Sequence, residues 1–385
     1  MSTLPSTNTL ATASEVLLAK ISALPLPQQT TLHIPSSSAL LGKLAALLEG
    51  GPSSLAVTAD FDRTITTATS LSSHGLVEAH LGFSEEFTRQ SQETTAYYYP
   101  IEADPSLTKE EKLPFMKEWY EKNHTLMVGE GITLGDVKGA VGMDIAERGL
   151  FIRDGFNEML DLCWPSSSSA SSSFYPPTSA SSTIEVMVFS AGLGDVILEV
   201  LQHDYHKGSV FPTDPAENPF LSAEKFNIIS NRFVLHPDTG KIEGFSEELI
   251  HMFNKDLRHL PAPALLPSRG GKRTAILVGD GLGDRTMCDH PREGTPPSSP
   301  AETPFAAVLK IGFLNFRVPE FLEQYSEAYY LLICGENGDF QVVNLVIREI
   351  REFALASAAK EEKAKAGAEH AAVTVQLELV SDTVR

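Results

Sequence analysis

"SLAVTADFDRTIT" (residues 54–66) begins as an apolar run and stops at two aspartates that flank a phenylalanine. The run is nearly continuous in apolar residues and does not alternate, which suits a strand covered on both faces. On an extended strand end, residues i and i+2 point the same way. Asp60 and Asp62 therefore share one side, and Phe61 turns back toward the core. Two carboxylates that close repel unless a proton or a cation lies between them. Mg²⁺ suits the gap, because it is a hard cation held by one or two carboxylates together with phosphate and water.

Four further runs read as strands of the same kind: "IEVMVFS" (184–190), "AILVGD" (275–280), "FAAVLKIGF" (305–313) and "YYLLIC" (329–334). Helical patterns separate several of them. In "GLGDVILEVLQHD" the residues Leu193, Val196, Ile197, Val200 and Leu201 recur on one helical face. Strands alternating with helices imply an α/β fold with a doubly wound parallel sheet. Ligands of such sheets sit beyond the carboxyl ends of the strands. Three runs end there in Asp60, Ser190 and Asp280. In "GDGLGD" the glycines allow close approach to a metal or phosphate, and Asp284 lies one helical turn beyond Asp280.

Composition narrows the function. The chain has 385 residues, 42% of them hydrophobic, and a formal charge of −20. Such an acidic chain lacks the basic footprint of a nucleic-acid binder. No apolar run approaches the roughly 18 residues of a membrane span. Cys163, Cys288 and Cys334 are widely spaced and odd in number, so a reducing, cytoplasmic location is expected. The first residues lack the basic and apolar regions of a signal peptide.

The expected organisation has four parts: an N-terminal extension over 1–50, a core over 51–74 and 149–355, a helical cap over 75–148, and a tail over 356–385 that reads as a solvated helix fading into disorder. A disordered start and a short surface helix are expected within the first part. The cap reading rests on a charged segment without strand signals, in which "TKEE" (108–111) has capping-box spacing. Pro114 then belongs in the first turn of that helix or kinks it. A second cap helix is expected over "TLGDVKGAVGMDIAERG". The stretches 165–182 and 290–304 are Ser- and Pro-rich and read as surface insertions.

"DFDRT" resembles the D-x-D-x-T signature of the haloacid-dehalogenase-like superfamily. Five longer stretches narrow the likeness: "YYYPIEADPSLTKEEKLPFMKEWYEKNH", "FSAGLGDVILEVL", "GFSEELIHMFNKD", "LVGDGLGDRTMCD" and "KIGFLNFRVPEFLEQY". Together they resemble the class III cytosolic 5′-nucleotidases, the pyrimidine 5′-nucleotidases, over about residues 55–350. The resemblance implies Mg²⁺-dependent hydrolysis of nucleoside 5′-monophosphates, pyrimidines preferred. Sequence does not fix the oligomeric state; a monomer is expected. It implies that Asp60 is the nucleophile that forms an aspartyl-phosphate and Asp62 the general acid/base. It assigns Ser190, Ala191 and Lys255 to the phosphate, Glu102 to the base, and Asp60, Asp62 and Asp280 to the metal, with Asp284 in support. Arg63, Gly281 and Asn123 depart from the residues expected of the family (Met, Ser and Ser). The alternative is a phosphatase of the same superfamily that takes a non-nucleotide monoester.

Overall fold

The computed structural model describes residues 7–79, 82–104, 106–147, 151–165, 182–207, 214, 218–223, 225–246, 248–259, 273–290 and 303–382. Most of the Ser-rich and Pro-rich stretches (166–181 and 291–302) and the first six residues lie outside it. Nine strands are described: β1 (Thr31–His33), β2 (Leu55–Ala59), β3 (Glu185–Leu193), β4 (Phe226–Asn231), β5 (Phe233–Leu235), β6 (Ile242–Phe245), β7 (Arg273–Gly279), β8 (Phe305–Leu314) and β9 (Leu331–Cys334). Seven form one sheet in the order β1-β9-β8-β7-β2-β3-β4. All pairings in it are parallel except that of β1 with β9. The five expected strands are its five inner strands.

All five residues of β2 are buried. Val57 and Ala59 join the larger apolar cluster on one face, and Ala56 joins the cluster on the other. This is why the run lacks alternation. Ala59 pairs with Val188 of β3 and with Val278 of β7, so β2 and β7 end nearly level while β3 runs on beyond them.

Ten α-helices are described. α1 (Thr7–Ser22) and α2 (Ser37–Gly50) precede β2, α7 (Phe156–Cys163) precedes β3, and α8 (Gly194–Tyr205) follows it. α9 (Val318–Ala328) joins β8 to β9, and α10 (Gln341–Asp382) ends the described chain. The N-terminal stretch is more integrated than an extension. It supplies β1 to the sheet, and α1 buries Leu10, Leu17 and Ile21 in the core instead of lying on the surface. The tail read as solvated continues the α10 helix as far as Asp382.

Between β2 and β3 stand α3 (Ser73–Glu78), α4 (Glu85–Ala103), α5 (Lys109–Glu130) and α6 (Leu134–Glu147). The expected capping box is present: the Thr108 hydroxyl accepts from the Glu111 amide, and the Glu111 carboxylate accepts from the Thr108 amide. Pro114 sits in the second turn of α5, not the first. The β5–β6 hairpin, not foreseen in the sequence, reaches these helices. The Phe245 ring stacks on His124 of α5 at 3.5 Å, and the Ile242 amide donates to the Ile132 carbonyl.

Candidate active site

Asp60 leaves the tip of β2 with its amide bonded to the Val278 carbonyl of β7. Its Oδ1 accepts from Lys255 Nζ at 2.5 Å, and the same ammonium donates to Asp284 Oδ1 at 2.8 Å. The other Asp284 oxygen accepts from the amides of Asp280 and Gly281, at 3.1 and 2.8 Å. Carboxylate oxygens of Asp60, Asp280 and Asp284 lie within 4.8 Å of one another. Gly279 makes this packing possible, since a Cβ there would fall 2.5 Å from Asp284 Cβ. Asp60 and Asp284 thus share one buried ammonium, with the Asp280 carboxylate beside them.

The imbalance shows in the titrations. Burial pushes Asp60 well above the usual carboxylate range; Lys255 opposes this, and Asp284 and Asp280 add to it. Burial, then Asp284, raises Asp280 to about 7. Burial lowers the Lys255 ammonium, but Asp284 and Asp60 outweigh it and hold it above its ordinary value. The cluster has excess negative charge and oxygen ligands only, which is the donor chemistry of a hard divalent cation.

The Asp62 carboxylate is not part of this cluster. It accepts from the Ser73 amide at 2.8 Å and from the Ser73 hydroxyl at 3.2 Å, and the same hydroxyl accepts from the Leu193 amide. Burial raises Asp62, with the Ser73 amide opposing. Ser190 is buried within β3, and its hydroxyl accepts from the Gly192 amide at 3.0 Å. Ala191 is not at a helix opening, because β3 runs on to Leu193 and α8 starts at Gly194.

Glu102 lies in the last turn of α4, where burial raises its carboxyl and Arg63 and Lys112 oppose the rise. A cluster of rings adjoins the site through Ser73, the neighbour of His74. The His74 ring meets Tyr120 edge-on at 5.6 Å and stacks with His124 at 6.0 Å. Burial lowers His74 to about 4 and His124 to about 3, so both are neutral at pH 7. His74 Nε2, His124 Nε2, Asn123 Oδ1 and Trp119 Nε1 are buried with no hydrogen-bond partner. Buried polar atoms of that kind cost roughly 1–3 kcal/mol each unless a ligand or water satisfies them.

Other contributors escaped the sequence reading. Thr64 and Asn315 both donate to Asp280, at 3.3 and 3.4 Å. Tyr325 and Tyr329 donate to the Asp280 and Gly281 carbonyls, at 2.7 and 2.5 Å. Arg153 is 2% exposed and donates its hydrogen bonds to uncharged acceptors, while Asp280 and Asp339 lie near enough to favour its charge. Thr64 belongs to "DFDRT", Asn315 and Tyr325 to "KIGFLNFRVPEFLEQY" and Tyr329 to "YYLLIC", but nothing in those stretches marks them as partners of Asp280; Arg153 lies outside every quoted stretch.

The sequence model of the family Pyrimidine 5′-nucleotidase (UMPH-1) matches residues 63–351, beginning directly after the two aspartates. The chain belongs to the UMPH-1 pyrimidine 5′-nucleotidase family. It is 30% identical over 328 residues to the 7-methylguanosine phosphate-specific 5′-nucleotidase of Gallus gallus, covering 84% of this chain and 97% of that one. The Homo sapiens protein of the same name is 29% identical, covering 80% of this chain and 88% of that one. Among solved structures, cytosolic 5′-nucleotidase IIIB bound to cytidine superposes with a TM-score of 0.64 at 22% identity, over 89% of this chain and 98% of that one. This family member is therefore a 5′-nucleotidase, a phosphoric monoester hydrolase acting on nucleotides, with an α/β fold. Among the described residues no helix is long and apolar enough to cross a membrane.

Proposed function

We propose that this 5′-nucleotidase hydrolyses nucleoside 5′-monophosphates through an aspartyl-phosphate on Asp60, in the cytoplasm, with Mg²⁺ at its carboxylate cluster. The observation that carries this reading is a juxtaposition: the Asp60–Lys255–Asp280–Asp284 cluster adjoins, through Asp62, Ser73 and His74, a half-buried set of rings whose buried polar atoms lack partners. One end suits a phosphate and the other a base.

Asp60 attacks phosphorus in line, and its oxygen replaces the nucleoside 5′-oxygen. Asp62, raised by burial and oriented by Ser73, gives its proton to the departing oxygen. The same carboxylate then takes a proton from water attacking the aspartyl-phosphate. Lys255 and Ser190 hold phosphoryl oxygens, together with the backbone at Ala191. Asp60 and Asp280 would hold the metal. Asp284 supports them, because both its oxygens already accept from Lys255 and from backbone amides. A bound Mg²⁺ supplies positive charge that keeps both ligands ionised and offsets the charge of the phosphate.

A consequence appears in stability. Asp280 titrates at about 7 in the folded chain and at ~3.9 when unfolded. Between those values the folded state keeps a proton that the unfolded state releases. This contribution to stability is complete below about pH 4 and is lost as pH rises through 7. Added Mg²⁺ should therefore raise Tm more at pH 8 than at pH 5. Calorimetric scans at both pH values check this, and an equal rise would contradict it.

For the base we propose Glu102 as acceptor and the neutral rings of His74 and Tyr120 as the stacking face. An ionised carboxylate only accepts, so it favours N–H donors such as the cytosine amine or the N1–H and amino group of 7-methylguanine. Neutral imidazoles also tolerate the cationic 7-methylguanine ring. Pyrimidine monophosphates and 7-methylguanosine monophosphate are accordingly the expected substrates. The test is a phosphate-release panel of CMP, UMP, purine monophosphates, 7-methylguanosine monophosphate, phosphoserine and an aryl phosphate. Loss of a hydrogen bond to a charged group is worth about 1.5–3 kcal/mol. Glu102→Ala should therefore lower kcat/KM for the preferred nucleotide by about one to two decades and spare the aryl phosphate. Equal losses would return the protein to the generic phosphatase reading.

A further inference from the structure

Asp280 is held at both oxygens. Thr64 Oγ1 donates to Oδ1 at 3.3 Å, and Asn315 Nδ2 donates to Oδ2 at 3.4 Å. Asn315 follows β8 directly, one strand beyond β7, whose tip carries Asp280. Its amide group has one orientation available. Oδ1 accepts from Arg153 Nη2 at 2.7 Å, and a guanidinium can only donate. The Asn315 NH₂ must then face the Asp280 carboxylate and the Arg63 carbonyl, the latter at 3.0 Å. A flipped amide would set its oxygen against both acceptors and its NH₂ against a cation.

Arg153 is itself fixed. Nε donates to the Thr64 carbonyl at 2.9 Å, Nη1 to the Gly338 carbonyl at 2.6 Å, and Nη2 also to the Arg63 carbonyl at 2.7 Å. Its guanidinium lies 4.1 Å from the centre of the Phe313 ring. The Arg63 carbonyl, which takes bonds from both Arg153 and Asn315, belongs to a residue in the left-handed region (φ 61°) between Asp62 and Thr64. One buried fork therefore ties the nucleophile loop, the end of β8 and the turn before α10 to a single asparagine amide.

We propose that Arg153 and Asn315 are a positioning relay for this reaction: Arg153 locks the Asn315 amide, and Asn315 aims the Asp280 carboxylate at the metal. Neither residue touches substrate. The inference rests on the Mg²⁺ reading given above and deepens it. Groups that orient a metal ligand without binding the metal typically matter by 10- to 100-fold in affinity. Asn315 is 6% exposed and carries no charge, so its truncation leaves Arg153 its three carbonyl acceptors.

The test is Mg²⁺ affinity, measured by titration calorimetry on the full chain after removal of metal with EDTA, without substrate. The proteins are the unsubstituted chain, Asn315→Ala, Arg153→Lys and the double variant, with Asn315→Ser as the substitute where the alanine protein does not fold. Asn315→Ala should weaken Mg²⁺ binding by about tenfold or more. Arg153→Lys should weaken it less, since a lysine lacks the fork that fixes the amide. In the double variant Arg153→Lys should add nothing, because it acts through Asn315. Affinity in Asn315→Ala within twofold of the unsubstituted chain would overturn the relay, even where Tm falls, since that is what a purely structural role produces. Losses that multiply in the double variant would also overturn it. An unsubstituted chain that binds no Mg²⁺ would instead overturn the metal reading, and the relay with it.

Discussion

Asp60→Asn is expected to abolish turnover while leaving the fold in place. The exchange is isosteric, and the Asp60 backbone keeps its bond to the Val278 carbonyl. What disappears is the anionic oxygen that attacks phosphorus, and no neighbour can take over. Asp284 is bound at both oxygens by Lys255, Asp280 and Gly281. Asp280 follows the next strand, between Thr64 and Asn315. Asp62 is bonded to Ser73. Phosphate release should fall by a factor of ~10⁴ or more, on the scale seen when a covalent nucleophile is removed. The unsubstituted protein, quenched in acid during turnover of a nucleotide labelled in its phosphate, should retain label on the chain, and the Asp60→Asn protein should retain none. The variant also removes one of three mutually repelling carboxylates, so its Tm without metal should match or exceed that of the unsubstituted protein. Normal phosphate release by this variant would refute the covalent mechanism.

The catalytic edge was legible because its strands are buried on both faces. An inner parallel strand needs apolar residues throughout, so β2, β3, β7, β8 and β9 stand out as runs, and chemistry-bearing residues stand out at their ends. The outer strands give no such signal. β1 has three residues, and β4, "FNIISN", mixes asparagine and serine into an edge. The β5–β6 hairpin has exposed Val234 and Leu235 and packs partly against helices, so its pattern is that of a loop. The N-terminal helices look like a surface extension because their apolar positions are diluted by Ser, Thr and Lys. Only the docked structure shows Leu40, Leu44 and Leu47 of α2 fully enclosed.

The carboxylates and Lys255 were readable as a motif set, and the structure brings Asp60, Lys255, Asp280 and Asp284 together. The supporting residues were not readable. Arg153 lies 90 residues from Arg63 and 162 from Asn315, and nothing local distinguishes it from a surface arginine. Its role comes from burial among carbonyls that three separate loops present. The Asp62 side chain shows a different limit. Alternation places it beside Asp60, but the left-handed turn at Arg63 and the Ser73 amide hold it apart from the carboxylate cluster. A motif gives the residue types present at a strand tip, whereas hydrogen-bond partners decide which of them face one another.

Removing divalent metal is expected to be nearly as damaging as removing the nucleophile. The reason lies in the charge at the strand tips. Asp60, Asp280 and Asp284 bring three negative charges and Lys255 one positive, so the cluster alone holds a net −2 when fully ionised. A phosphate monoester arrives with nearly two more. Without added positive charge, the phosphate is repelled and Asp60 is driven toward its protonated, unreactive form, the direction in which burial, Asp284 and Asp280 already push it against Lys255. Charge stabilisation by a bound metal contributes several kcal/mol, and at 1.36 kcal/mol per decade about 4 kcal/mol is a thousandfold. Protein treated with EDTA and then freed of chelator should therefore release phosphate from CMP at least ~10³-fold more slowly, and millimolar Mg²⁺ should restore the rate. Zn²⁺ should not substitute, because among the described residues the cluster offers carboxylate oxygen and no histidine or thiolate. Stripped protein that keeps full activity would refute the metal assignment. Rescue by Zn²⁺ alone would show that the three aspartates hold a different ion in a different geometry.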